Sequence, residues 1–215
     1  MTQVVAETWR LFVAIPVPDE VRAALAAALD SVRTRFRGGR WQSPDTWHLT
    51  LRFLGDTPVG DLPLIERAVR SAAADGAPFR VALGEAGSFE HRRGGRVAWV
   101  GLAQGGPEVA ALAGRLAAAL APGEPGGAPV QVHLTIAREA PDGLVPALTA
   151  AIEASRTGAS GTARAGRVGL GSRPVAPATG EGSLVWVADR LVLYRSVLGR
   201  GGATHTALVE APLGG

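Results

Sequence analysis

The feature that most constrains this chain is a tripeptide written twice. His48-Leu49-Thr50 lies in HLTLRFLG and His133-Leu134-Thr135 in HLTIAR, 85 residues apart, in a sequence with four histidines. Both settings read as strands, and the side-chain period of a strand is two. Each His therefore shares a sheet face with the Thr two places on. Strict alternation also puts Arg52 on the His48 and Thr50 face, and puts Arg138 on the Leu134 and Ile136 face, away from His133. A role for Arg138 beside His133 needs a bend at the strand end.

The surroundings of the tripeptide repeat as well. A strand over 9–17 precedes a helix opened by Pro18-Asp19, with Asp19 as N-cap and Val21, Leu25, Leu29, Val32 and Phe36 at helical spacing. A first His-Leu-Thr strand over 47–54 follows, then a helix from Asp61. The second half reads as paired strands at 79–83 and 96–103 around a Gly- and Arg-rich connection from Gly84 to Gly95, a helix from Gly106-Pro107, a Pro/Gly loop over 121–129, a His-Leu-Thr strand over 130–138 and a helix from Asp142. This is a degenerate internal duplication. Related halves pack about a pseudo-two-fold axis, which would bring the two motifs together. Strands close the chain at 185–187, 190–198 and 203–211. The Gly-, Ala-, Ser- and Arg-rich stretch of about 158–183 reads as a flexible surface insertion in what is otherwise one domain over 1–215.

Composition narrows the chemistry. The 215 residues include no cysteine and no lysine; all 22 basic residues are arginine. Disulfides, thiolate nucleophiles, cysteine metal sites and lysine-based phosphate loops are excluded, while guanidinium–phosphate contacts stay open. No secretory signal or apolar run long enough for a membrane span is visible, so a cytoplasmic protein with no membrane partner is the expectation. The remaining inventory is two His, two Thr and nearby Arg. One imidazole can accept a proton while its partner donates one, and displacement at phosphorus needs that pair; no metal or other cofactor is required.

The paired motifs, the opening RLFVAIPVPDEV, the block RWQSPDTWHLTLRFLGD and the closing LVLYRS and GGATHTALVEAPLG resemble the 2H phosphoesterases, and most nearly the bacterial RNA 2′,3′-cyclic phosphodiesterases, also called 2′-5′ RNA ligases. The resemblance implies an α+β, bilobal fold with two antiparallel sheets around a central cleft and helices outside. It implies opening of an RNA 2′,3′-cyclic phosphate end to a 2′-phosphate. His48 would then be the proton donor and His133 the proton acceptor. Thr50, Thr135 and Arg138 would bind phosphate. Run backwards, the site would make a 2′-5′ link. The substrate partner is RNA with a cyclic phosphate end, and a monomer without obligate protein partners is expected.

Other readings stand beside these. The substrate could be a small cyclic nucleotide, ADP-ribose cyclic phosphate or 2′-5′ oligoadenylate, or the chain could be a non-catalytic RNA-end or nucleotide-binding module. Two histidines could share a metal, but a third ligand is missing. Arg52 is a possible phosphate contact or a surface ion pair. Phe12 is a possible stacking surface for a terminal base or a core residue. Trp41 and Trp47 read as rim or core rather than base platforms, Arg92, Arg93 and Arg96 beside His91 as a solvated turn or a grip on an RNA backbone, and Tyr194 and Ser196 as supporting residues. His205, with no Thr two places on, reads as structural.

Overall fold

The computed structural model describes residues 7–90, 95–120, 131–160, 183–199 and 202–215. The expected insertion falls on residues outside this set from 161 to 182, as do His91, Arg92, Arg93 and the Pro/Gly loop before the second motif.

β1 (Thr8–Pro16) leads into α1 (Asp19–Arg35). Asp19 is the first helical residue rather than the cap, and Pro18 takes the N-cap position. Asp19 instead pairs with Arg22 one turn on. β2 (Arg40–Trp41) and a 3-10 turn precede β3 (His48–Pro58), and α2 (Leu62–Ala74) follows. β4 (Phe79–Glu90) and β5 (Arg96–Gln104) form a hairpin, then come α3 (Gly106–Leu120), β6 (Leu134–Arg138) and α4 (Leu144–Ser160). The chain closes with β7 (Val185–Ala188), β8 (Arg190–Gly199) and β9 (Gly202–Pro212).

The strands make two antiparallel sheets, ordered β3-β1-β8-β9 and β2-β6-β5-β4-β7. β3, the edge of the first sheet, packs against β6 of the second. α2 lies on β8 and β9, and α4 lies on β4 and β5. The helices also pair across the halves, α1 with α4 and α2 with α3. Exchanging the halves of the duplication sends the first pair onto the second. One cluster of buried apolar side chains runs through both sheets, from Leu11, Val13 and Ile15 of β1 to Val100, Leu134 and Ile136 of β5 and β6. Among the described residues no polar or charged side chain is fully buried. Titratable groups are confined to the surface and the cleft.

β4 runs through a stretch that reads in sequence as a glycine-rich connection. The glycines are there for clearance. A Cβ on Gly87 would stand 2.3 Å from the ring of Trp99, and one on Gly84 would stand 2.7 Å from the Ala103 backbone nitrogen. Gly87 is thus the gap into which the Trp99 indole folds.

Candidate active site

Both His-Leu-Thr segments reach one cavity of about 200 Å³, lined by His48 and Thr50 from the first sheet and by His133 and Thr135 from the second. His133 sits just ahead of β6, which begins at Leu134. Each ring is fixed in the same way. Nδ1 of His48 lies 2.7 Å from the Thr46 carbonyl oxygen, and Nδ1 of His133 lies 2.6 Å from that of Gln131. A carbonyl can only accept, so both Nδ1 atoms carry the hydrogen. Nε2 is left as the working nitrogen of each ring.

A one-residue bulge follows each threonine directly. The β3 partner of Val13 in β1 is Arg52 and that of Ala14 is Thr50, so Leu51 is extra. The β6 partner of Ala98 in β5 is Ala137 and that of Trp99 is Thr135, so Ile136 is extra. A bulge reverses the parity of everything after it. Arg138 therefore joins the Thr135 face and lines the cavity, where strict alternation would turn it away. Glu139, with φ at +52°, then turns the chain out of the strand. The same device corrects the expectation for Arg52. It pairs with Val13, on the core side of β1, and is not among the residues lining the cavity. Its place is taken by Phe53, which lines the cavity and is 69% exposed. Phe53 and Arg138 hold equivalent positions, each three residues after its threonine. One half offers an aromatic face and the other a cation.

Phe12 also lines the cavity, but it is 3% exposed and both its faces are taken. It stacks on His48 at 4.6 Å and on Tyr194 at 5.1 Å between ring centroids. It is the bed of the histidine, not a free surface for a base. Trp47 is core, and Trp41 is half-buried with its indole N–H donating to the Phe36 carbonyl. Arg96 pairs with Asp142 at 2.9 Å.

His205, read from sequence as structural, is a cavity residue. Its ring stands edge-on to His48 at 5.3 Å and to Phe12 at 4.9 Å. Ser196 lines the cavity beside it. Their signal in sequence is the β8–β9 hairpin, which pairs Ser196 with His205 next to β1. Burial lowers the pKa of His48 to about 4, with His205 and His133 adding to the fall and the Thr46 carbonyl opposing it. Burial also holds His205 below the usual histidine value, with the Thr204 backbone offsetting part of the shift. Around His133 the ring neighbours are Phe89 at 5.2 Å and Trp99 at 6.1 Å. No group of three or more His, Asp and Glu side chains placed to hold a metal ion occurs among the described residues. Nor is any helix among them long and apolar enough to cross a membrane.

The family model of LigT-like phosphoesterases matches residues 15–99, which include the first His-Leu-Thr strand. TT0787 of Thermus thermophilus, a solved structure, is 30% identical, with a TM-score of 0.66 over 96% of this chain and 98% of that one. The chain belongs to the LigT-like phosphoesterase family. E. coli LigT, at 23% identity, shares the fold of this family member with a TM-score of 0.67 over 97% and 99% of the two chains. The RNA 2′,3′-cyclic phosphodiesterase of Thermus thermophilus is 43% identical over 88 residues, 41% of this chain and 44% of that protein. This LigT-like phosphoesterase thus matches less than half the length of that curated relative.

Proposed function

We propose that this LigT-like phosphoesterase hydrolyses RNA 2′,3′-cyclic phosphate ends to 2′-phosphates, without a metal. The observation that carries the reading is the convergence of two His–Thr pairs, with Arg138, on one cavity. The name shared by the curated relatives supports the choice of substrate. Nε2 of His133 takes a proton from water as the water oxygen bonds to phosphorus. The bond from phosphorus to the 3′ oxygen breaks, and Nε2 of His48 protonates that oxygen as it leaves. The Thr50 and Thr135 hydroxyls and the Arg138 guanidinium hold the non-bridging oxygens, where negative charge accumulates. The same steps in the same direction, with an RNA 5′-hydroxyl attacking in place of water, form a 2′-5′ link, with bulk water favouring hydrolysis.

The donor role of His48 has a condition. With a pKa near 4 the free ring is neutral at pH 7, so the proton arrives with the substrate. The phosphodiester's negative charge beside the ring favours the imidazolium and raises its pKa.

The test is hydrolysis of a cyclic-phosphate oligonucleotide in EDTA, with 2′-phosphate ends as product. His48→Ala and His133→Ala should each slow the reaction by on the order of 10³-fold or more. Near-parental rates in both variants would overturn the reading.

A further inference from the structure

The catalytic cavity, at about 200 Å³, is smaller than the roughly 300–1,000 Å³ that a drug-sized ligand occupies, so it encloses only the end of a nucleotide chain. It opens into a groove of about 540 Å³, and the two share Arg10, Gln42, Arg138, Leu198 and Ala203. The groove adds Arg40 and Glu139. Arg40 and Arg138 are direct cross-strand partners between β2 and β6. Like charges held opposite each other destabilise a sheet. Glu139 relieves only Arg40, at 3.2 Å, and both of those side chains are exposed. Among the described residues Arg10 and Arg138 form no ion pair. The geometry points to an anion with more than one charge along this wall.

On the reading of the site as an RNA-end phosphodiesterase, we infer that this groove is the binding track for the phosphates 5′ of the terminal nucleotide, held by Arg10 and Arg40 with Arg138 at the mouth. A 2′,3′-cyclic end is joined to the rest of its RNA only through its 5′-phosphate, so every further charge must leave the cavity on one side. The forked guanidinium suits a phosphate. Contacts to phosphate position a strand without reading its bases. The track therefore gives a preference for length, not sequence, and makes an oligonucleotide rather than a mononucleotide the natural substrate class.

Binding tests this without turnover. The affinities of a 2′-phosphate-ended RNA tetramer and of 2′-AMP are measured for the parent, Arg40→Gln and Glu139→Gln across a salt series. The tetramer should bind the parent severalfold more tightly than 2′-AMP does. Arg40→Gln should reduce that advantage and flatten the tetramer's log–log salt slope by about 0.7, the value for one single-strand phosphate contact. Glu139→Gln, which frees Arg40, should raise the advantage. Equal affinity for the two ligands in the parent, or a salt slope unchanged by Arg40→Gln, would overturn the track. A length preference in a protein that hydrolyses no cyclic phosphate would uphold the track and overturn the proposed activity. Activity with no length preference would do the reverse.

Discussion

His48 carries the sharpest residue-scale consequence. In the folded chain its pKa is about 4, against a usual 6.5. Between those values the unfolded chain binds a proton that the folded chain refuses, so stability rises with pH across this window and is lost as pH falls through it. The full contribution is of the order of 3 kcal/mol. Urea unfolding at pH 7 and pH 4.5 should show the parent losing more stability than His48→Gln, and parallel losses would contradict the assignment. Anion binding should reverse the effect. Calorimetry of phosphate binding at pH 6 in buffers of different ionisation enthalpy should report proton uptake by the parent and less by His48→Gln; equal uptake by the two would remove His48 as its source. The neighbours that depress His48 were only half legible. His133 announces itself by its tripeptide, whereas His205 enters through a hairpin register that places it edge-on to His48.

Between elements, period-two reasoning holds as far as each threonine and fails one residue later. His48, Thr50, His133 and Thr135 share a cavity as their spacing requires. Beyond them Leu51 and Ile136 are looped into the core, at 1% and 0% exposure, and the side chains that follow, as far as Phe53 in β3 and Arg138 in β6, change face. Nothing in the hydrophobic pattern of HLTLRF or HLTIAR marks the extra residue, because the bulged position is itself apolar. Arg52 and Arg138 therefore exchange their expected fates, and Phe53 comes forward. The strand through Gly84 and Gly87 was hidden for a different reason. Its glycines answer to the facing strand rather than to a turn, Gly87 to the Trp99 indole and Gly84 to the Ala103 backbone. Gly87→Ala should cost about 1–3 kcal/mol in stability through overpacking. The cost should shrink when Trp99→Leu is added. A double-mutant cycle by thermal or urea unfolding measures the coupling, and strict additivity would mean that the indole is not what fills the gap.

Across the whole molecule, the duplication explains why two distant tripeptides meet. The swapped helix pairs α1–α4 and α2–α3 tie each half to the other, and β3 is carried against β6 so that a cleft opens along their shared line. Truncating a fully buried residue such as Leu148 of α4 should remove about 2–5 kcal/mol of stability, read by urea unfolding. The central claim is that both imidazoles serve one bound anion. Its most direct measurement is a phosphate titration followed by the ring resonances of His48 and His133 in NMR. Both rings should move along one binding curve with a single shared Kd; a response from only one ring, or two unequal Kd values, would contradict it.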